Sequence, residues 1–219
     1  MNPDSARLRI RVARRYVWPW LVGYAHGKLW FDPIYPTVCE RLGGSSQPLL
    51  DIGCGMGLHA FYLRDRGFEP EIIGLDVDEK KIQRGAKVAS RHYPGIKLLP
   101  GSCEELPEFS GNVTMLDVLH YLPASRQARV LEEIARRVAP GCWCVIRTSP
   151  RDESWRFKGT LAVERLARTI SWMTEPAREF PTLEAIKASF PESEFTHEIR
   201  PLWGVTPFNS WLLAFQRKQ

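Results

Sequence analysis

One glycine-rich stretch, residues 49–57, constrains this chain more than any other. It is Leu-Leu-Asp-Ile-Gly-Cys-Gly-Met-Gly, an apolar run that meets an acid and then three glycines at alternate positions. This pattern predicts a buried strand that stops abruptly and turns into a helix. Glycine permits the backbone angles of a tight turn and lets a ligand lie against bare backbone. We therefore expect a nucleotide-binding turn here, with Asp51 ordering it from beneath.

Glycine spacing separates this turn from the dinucleotide-binding fingerprint. That fingerprint is G-x-G-x-x-G, whereas Gly53, Gly55 and Gly57 form G-x-G-x-G and are followed by Leu. The difference disfavours a nicotinamide oxidoreductase. A second apolar run, residues 71–76, ends in Asp76, which follows Gly57 by 19 positions. An acid at the end of the second strand is placed to accept both hydroxyls of a ribose; the alternative is a solvated acid at a strand end.

Strand and helix patterns alternate through the rest of the chain. Residues 5–43 are too apolar for a tail and predict two helices with a break near residues 31–33. The other patterns predict helices at 58–66, 78–93, 123–140, 155–173 and 182–190, and strands at 96–99, 113–116, 142–148, 195–202 and 210–216. Alternation of this kind is typical of a doubly wound parallel sheet.

Composition bounds the class of protein. A chain of 219 residues with 44% hydrophobic and 25% charged residues fits one soluble α/β domain. The five cysteines form neither a disulfide framework nor a zinc-like pair, so we expect a cytoplasmic protein without a metal. The net charge of +5 is concentrated near the N-terminus and from residue 147 onward. Such basic clusters fit an acidic partner, a membrane surface, nucleic acid or a solvated face.

Three motifs resemble those of a known enzyme family. The glycine stretch with its acid, the later Asp76 and the segment Leu116-Asp-Val-Leu-His-Tyr121 are similar to motifs of the class I S-adenosylmethionine (SAM)-dependent methyltransferases. More narrowly, Gly-Lys-Leu at 27–29 with Asp-Pro at 32–33, Asp-Val-Leu-His-Tyr, and Trp-Arg-Phe from residue 155 resemble bacterial methyltransferases of aryl-polyene and xanthomonadin-type pigment clusters. The resemblance covers residues 27–217.

The resemblance implies a fold and a cofactor. The fold is α/β, a Rossmann-like doubly wound seven-stranded sheet that is mostly parallel with its last strand antiparallel. We expect an N-terminal helical cap at residues 1–43 and the methyltransferase domain at 44–219, together one structural domain. The cofactor is SAM, and its implied contacts are Lys28, Asp51, Gly53, Cys54, Gly55, Gly57, Asp76, Val77, Ser102, Cys103, Asp117 and Val118.

Two of these contacts have alternatives. Lys28 either pairs with the carboxylate of the cofactor or is an ordinary surface lysine. Ser102 stands where the family often has the acid of Gly-Asp-Ala, which lies near the adenine amino group. A serine can still form a hydrogen bond to the adenine edge, but it cannot reproduce the carboxylate.

The implied chemistry needs little acid catalysis. Methyl transfer from a sulfonium is an in-line displacement with a neutral leaving group, so positioning matters most. A base is needed only for the acceptor, and a phenol with a pKa of about 10 is within reach of a histidine with a pKa of about 6.5. His120 is the candidate base, or else a structural histidine at the strand end. Tyr24, Tyr121 and Trp155 are candidates for the acceptor pocket.

The sequence thus favours O-methylation of a phenolic or polyene-type small molecule, free or carried on an acidic acyl carrier protein. An RNA or protein methyltransferase is the first alternative. It is disfavoured because the fourth strand is not followed by the tetrapeptide Asn/Asp-Pro-Pro-Tyr/Phe of amine-methylating enzymes. A SAM-binding module without catalysis is the second alternative.

The Arg/Trp-rich segment, residues 7–20, also fits contact with a membrane surface. The sequence leaves the oligomeric state open.

Overall fold

The computed structural model describes residues 3–169, 179–203 and 208–219. Its helices are α1 Pro3–Ala13, α2 Pro19–Phe31, α3 Ile34–Leu42, α4 Leu58–Asp65, α5 Glu79–His92, α6 Ala124–Arg137, α7 Trp155–Thr169 and α8 Leu183–Lys187. Its strands are β1 Leu49–Ile52, β2 Ile72–Asp76, β3 Ile96–Pro100, β4 Asn112–Leu116, β5 Trp143–Thr148, β6 Phe195–Pro201 and β7 Trp211–Arg217. A short 3₁₀ turn, Leu119–Tyr121, follows β4.

The strands form one seven-stranded sheet in the order β3-β2-β1-β4-β5-β7-β6. Neighbours β1 and β2, β2 and β3, and β4 and β5 are parallel. The last strand, β7, runs antiparallel to both β5 and β6. The predicted Rossmann-like fold class is therefore confirmed. Compact packing divides the chain into two units, residues 1–112 and 113–219.

In the first unit, α4 and α5 flank strands whose apolar side chains are buried. All four residues of β1 are buried. The ring of Phe61 in α4 stacks on that of Tyr93, with centroids 4.5 Å apart. A parallel strand is covered on both faces, so its sequence is a continuous run of apolar residues. This pattern made β1 and β2 predictable.

The N-terminal region contains three helices rather than the predicted two. The predicted break near residues 31–33 is confirmed, and there Asp32 Oδ1 accepts a hydrogen bond from the Ile34 amide at 3.1 Å. A further break separates α1 from α2. Pro19 fixes where α2 begins, because proline suits the first position of a helix but cannot continue one from the preceding turn.

Helix α5 begins at the residue that the sequence predicts. Its N-cap is Asp78, whose Oδ1 accepts hydrogen bonds from the amides of Lys80 and Lys81 at 3.0 and 3.1 Å. The ammonium group of Lys81 lies 3.4 Å from the other carboxylate oxygen. Such a cap satisfies amides that would otherwise have no partner in the first turn.

In the second unit, strand β7 packs against the segment that follows α8. Phe190 stacks on Phe215 of β7 with ring centroids 4.1 Å apart, and both are fully buried. The predicted N-cap Thr182 is confirmed, since its hydroxyl accepts from the Ala185 amide. The helix is shorter than predicted and ends at Lys187.

Helix α7 begins at Trp155, as the aromatic pattern predicts. The predicted stripe continues to Ile170, Trp172 and Met173, which lie outside the described residues. Among the helices that the structure describes, none combines the length and the apolar character needed to cross a membrane.

The cap of α5 gives a stability prediction with a defined pH dependence. Burial raises the pKa of Asp78, but the hydrogen bonds and the charge of Lys81, with the Lys80 amide, lower it to a net value below the ordinary one. A carboxyl with a depressed folded-state pKa stabilises the fold above its unfolded pKa of about 3.9, and this contribution is lost as pH falls through the folded-state value. We expect Asp78→Ala to lower the free energy of unfolding by about 1 kcal/mol at pH 7.

Urea titrations at pH 7 and at pH 3 measure this loss. Asp78→Asn is the matched control, because an amide oxygen still caps the helix but carries no charge for Lys81. It should cost less than Asp78→Ala at pH 7. An Asp78→Ala loss that is the same at both pH values would contradict the account.

Candidate functional site

The glycine turn after β1 is fixed to the end of β2 by backbone hydrogen bonds. The amides of Gly53 and Cys54 both donate to the Leu75 carbonyl, at 2.7 and 3.0 Å. Gly53, Gly55 and Gly57 have φ angles of 75, 56 and 78°, in the left-handed region. Side chains rarely adopt these angles, so the turn needs glycine at all three positions on conformational grounds.

The space around two of these glycines differs. A Cβ on Gly55 would meet no atom within 4 Å, so its backbone is open. A Cβ on Gly57 would lie 2.7 Å from a methyl group of Leu98. The same side chain lies 2.6 Å from the Cβ positions of Gly74 and Gly85, so Leu98 fills a space bounded by three glycines and cannot retreat. The turn is therefore closely packed on one side and bare on the other.

Asp76 holds the turn from the second strand. Its Oδ2 accepts a hydrogen bond from the Gly55 amide and its Oδ1 one from the Asp78 amide, both at 2.8 Å. Each carboxylate oxygen has a second lone pair, so the group can still accept a hydroxyl from a ligand. The predicted ribose contact is compatible with this arrangement.

Exposed apolar side chains lie where β2 and β3 end, at the residue after β2 and at the penultimate residue of β3. Val77, directly after Asp76, is 70% exposed, and Leu99 is 46% exposed. Asp76 is paired in register with Pro100, so both side chains belong to the same edge of the sheet. An apolar surface beside a ribose acceptor suits an adenine ring. Leu99 is not among the predicted contacts. An apolar residue directly before the proline that ends a strand could have indicated it.

The open backbone of Gly55, the remaining acceptor capacity of Asp76 and the apolar surface of Val77 together fit an adenosine-containing cofactor. The loop after β3 adds Ser102, whose hydroxyl oxygen accepts a hydrogen bond from the Glu104 amide at 3.1 Å. The Ser102 hydroxyl also contacts the neighbouring Cys103 thiol. Burial raises the pKa of the neighbouring Cys103 thiol to about 11, so that thiol stays protonated.

The side chains of Asp51 and Cys54 are directed into the protein. Asp51 is 2% exposed, and its Oδ2 lies 3.5 Å from Nδ1 of His59, a buried residue in the first turn of α4. The thiol of Cys54 lies against Gly74 of β2, and burial raises its pKa. These contacts brace the turn, and the sequence does not indicate His59 as a partner.

Tyr16 is a further brace that the sequence does not reveal. It is 3% exposed, and its hydroxyl donates a hydrogen bond to the Met56 carbonyl at 3.0 Å. Burial raises its pKa, which keeps it a neutral donor. The connection between α1 and α2 is thereby attached to the glycine turn.

Lys28 and Tyr24 lie on α2. Nζ of Lys28 is 3.4 Å from Asp32 Oδ2, one helical turn away, and its side chain is 38% exposed. Tyr24 is half-buried. Their predicted contacts with cofactor and acceptor stay predictions.

In the second unit, β4 ends in an unusual backbone conformation at Asp117. Its φ is 60°, the one positive φ at a non-glycine residue in the part of the chain that the structure describes. Its amide donates to the Arg147 carbonyl at 2.9 Å, and its carboxylate pairs with the Arg147 guanidinium. Strain of this kind is often found at functional sites. Val118 is the N-cap of the 3₁₀ turn that follows.

Arg147 does not belong to the basic surface cluster that the sequence suggests. Its side chain lies in β5 and is only 9% exposed. A buried guanidinium requires an anionic partner, which Asp117 provides. The pair connects two strand ends that are 30 positions apart.

His120 lies in an aromatic cluster within this unit. It is 5% exposed and stacks on Phe180, with ring centroids 5.2 Å apart and planes at 13°. Tyr121 lies 4.3 Å from it, and Phe157 meets Phe180 edge-on at 5.2 Å. The sequence does not identify Phe180 as a partner, because the contact joins segments that are distant along the chain.

The imidazole of His120 is poised to be neutral. Burial lowers its pKa, Asp117 raises it and Arg147 lowers it, and the net pKa lies below the ordinary histidine value. Neither ring nitrogen has a hydrogen-bond partner among residues 3–169, 179–203 and 208–219. A neutral imidazole of this kind offers one lone pair and one N–H.

Trp155 lies apart from this cluster. It is 66% exposed, and the guanidinium of Arg156 lies 4.7 Å from its ring. Trp155 and Phe157 are two positions apart on a helix, which separates them by about 200° around the axis. Only one of them can therefore face inward, and it is Phe157. The predicted acceptor contact of Trp155 stays a prediction.

The two glycines give a matched pair of substitutions. Both Gly55→Ala and Gly57→Ala place alanine at a left-handed position, which costs about 1 to 2 kcal/mol. Gly57→Ala should lower the free energy of unfolding by about a further 1 to 3 kcal/mol, because its Cβ overlaps Leu98. Gly55→Ala should instead weaken SAM binding by about tenfold or more, or 1.4 kcal/mol, since its methyl group occupies the open face.

Urea unfolding and calorimetric titration with SAM measure the two effects. If both variants lost equal stability and Gly55→Ala bound SAM as well as the unaltered protein, the open face would not be the ligand face.

Comparison with protein families and curated proteins agrees with this geometry. Residues 49–141 match a family model described as a methyltransferase domain. The demethylmenaquinone methyltransferase of Geobacillus kaustophilus is 31% identical over 172 residues, covering 69% of this chain and 72% of the relative. The demethylmenaquinone methyltransferase of Bacillus licheniformis is 29% identical over 192 residues, covering 79% of each.

Solved structures share the fold. Magnesium protoporphyrin IX methyltransferase from Synechocystis PCC 6803, determined with bound SAH, has a TM-score of 0.65 at 17% identity and covers all of this chain and 89% of its own. The mitomycin 7-O-methyltransferase has a TM-score of 0.64 at 18% identity, covering 84% of this chain and 52% of its own. With the motif, the sheet order and these relatives in agreement, the chain belongs to the class I methyltransferases and is an enzyme whose methyl donor is SAM.

Proposed function

We propose that this enzyme methylates a small aromatic acceptor of the phenol or quinol type. The observation that carries the proposal is His120, a buried imidazole in a cluster of aromatic side chains. Within the part of the chain that the structure describes, its two ring nitrogens have no hydrogen-bond partner. The relatives named demethylmenaquinone methyltransferase support a ring compound as the acceptor. Aromatic walls and a neutral base are what such an acceptor requires.

The cofactor would be held by the groups that surround the glycine turn. Asp76 accepts the ribose hydroxyls, the open backbone at Gly55 meets the cofactor directly, and Ser102 donates to the adenine edge. Val77 and Leu99 provide the apolar surface for the adenine. Bound SAM supplies an activated methyl group on a positively charged sulfur, so the protein's own task is to position and deprotonate the acceptor.

His120 removes the acceptor proton. Its depressed pKa keeps the imidazole unprotonated at neutral pH, so a ring nitrogen is available to take a proton from an aromatic hydroxyl. The transfer leaves an imidazolium, which the carboxylate of Asp117 stabilises and the charge of Arg147 opposes. Asp117 thereby has two partners, and its strained backbone fixes where the 3₁₀ turn begins.

The atom that receives the methyl group is the hydroxyl oxygen in this proposal. An aromatic hydroxylate shares its negative charge between the oxygen and ring carbons, so the same base serves either site. The narrower resemblance to pigment-cluster enzymes, with Trp155-Arg-Phe and Gly27-Lys-Leu, favours a phenolic or polyene-type acceptor. NMR of the product separates an O-methyl from a C-methyl group.

The acceptor can be presented in different ways. A carrier-bound acceptor would bring an acidic carrier protein against the basic clusters. An apolar ring compound that resides in a bilayer would instead bring the Arg/Trp-rich segment against a membrane surface. Assays with free, carrier-bound and vesicle-bound acceptor of the same ring chemistry distinguish these routes by their kcat/KM.

Removal of the Asp76 carboxylate tests the cofactor assignment. Asp76→Ala should weaken SAM binding by about 1 to 3 kcal/mol, since it removes the ribose acceptor and frees the Gly55 amide. Asp78→Ala is the matched control, because it removes the next acid along the chain, which caps a helix. Calorimetry that found equal SAM affinities for the two variants would reject the assignment.

Substitution of His120 tests the base. His120→Ala should slow methylation of a phenolic acceptor by about a hundredfold, while SAM affinity is retained. In the unaltered enzyme kcat should fall only when the pH drops through a value below about 6.5, because the pKa of the buried imidazole is lowered. This limb of the profile should be absent in His120→Ala.

The exposed His26 on α2 provides the control for this experiment, and His26→Gln should keep both the rate and the pH profile. Full activity of His120→Ala across the pH range would remove the base from the mechanism and with it the observation that supports a hydroxyl acceptor.

A further inference from the structure

The connection between α1 and α2, together with the first residues of α2, presents an unusual run of exposed apolar side chains. Val17 is 77% exposed, Trp18 60% and Trp20 50%, with Pro19 between the two tryptophans. Adjacent exposed apolar residues of this size indicate an interaction surface, since single ones are common and grouped ones are not. Nothing in the proposed chemistry uses them.

A basic groove lies next to this run. It is lined by Arg7, Ile10, Arg11, Arg14 and Arg15. Residues 7–20 contain five arginines and no acidic residue. Arg7, Arg11 and Arg14 follow each other at helical spacing and are exposed, while Leu8 and Val12 on the opposite face are buried.

The Arg/Trp-rich segment is held in place from within the first unit. The Tyr16 hydroxyl is bonded to the Met56 carbonyl, so the residue before Val17 is anchored in the protein. Arg11 pairs with Asp65 at 2.9 Å, and Arg15 bonds to Nδ1 of His92 at 2.9 Å. With Tyr16 turned inward, Val17 and Trp18 are directed outward on a fixed support.

We propose that the Arg/Trp-rich segment binds the surface of an anionic phospholipid bilayer. Val17, Trp18 and Trp20 would insert at the level of the headgroups, where indole rings are favoured, and Arg7 and Arg14 would pair with lipid phosphates. A bilayer fits better than an acidic protein, because the tip of the segment is apolar and the charges lie behind it. This attachment does not depend on which acceptor the enzyme methylates.

Vesicle sedimentation with the full chain tests the proposal. Vesicles of phosphatidylcholine alone are compared with vesicles that contain phosphatidylglycerol. We expect binding to the anionic vesicles, weakened by added salt, and a partition coefficient reduced by about tenfold in either Arg7→Gln/Arg14→Gln or Val17→Ser/Trp18→Ser.

Matched controls lie in the second unit. Arg129→Gln/Lys158→Gln removes the same number of exposed charges, and Trp203→Ser removes an exposed tryptophan that the proposed chemistry does not use. Both should bind the anionic vesicles as the unaltered protein does. Methylation of a water-soluble phenolic acceptor, measured on the same preparations, reports separately on folding and on the proposed function.

The proposal is overturned if no anionic vesicle is bound, or if the segment variants bind as well as the controls. It is also overturned if an acidic carrier protein competes fully for the segment and vesicles alone are not retained. If the unaltered protein bound anionic vesicles but did not methylate the phenolic acceptor, the result would contradict the proposed function and would still support the membrane contact.

Discussion

The hydrogen bond from the Gly55 amide to the Asp76 carboxylate is the contact on which the rest of the cofactor site depends. It ties the turn after β1 to the end of β2 at 2.8 Å, next to the bonds that the Leu75 carbonyl receives. Glycines adopt left-handed angles without steric strain, but they lose more conformational freedom on folding than other residues, so contacts must fix the turn. Leu98 fills the space on the packed side, and Asp76 holds the turn from the end of β2. What remains is a stretch of bare backbone with an acceptor at its edge.

The sequence predicted those features that depend on only a few adjacent residues. The glycine turn, the strand ends and the caps at Asp78 and Thr182 depend on local backbone chemistry, so spacing was enough to find them. The doubly wound sheet followed from the alternation of such segments, and its seven strands with the last one antiparallel followed from the family resemblance. The break before Pro19 was missed because the apolar content of the flanking residues outweighed a single proline.

The features that the sequence did not predict involve partners far apart in the chain. Arg147 was assigned to a surface cluster because it is one of several basic residues in that part of the sequence. Its partner Asp117 lies 30 positions earlier, and the spacing of residues does not reveal the pair. The stacking of Phe180 on His120 is equally invisible to spacing. Both contacts bear on the chemistry, since Asp117 and Arg147 act on the His120 pKa in opposite directions and burial decides the outcome. Family membership therefore gives the donor, whereas the acceptor is inferred from packing.

Transfer of labelled methyl groups from SAM into fractionated host extract tests the central claim most directly. The extract is separated into organic-soluble small molecules, carrier proteins and RNA before counting. The account predicts label in the organic-soluble fraction, in an aromatic compound whose labelling is lost with His120→Ala. Label confined to RNA or to proteins other than carriers would contradict it, and would assign the basic clusters to a macromolecular substrate.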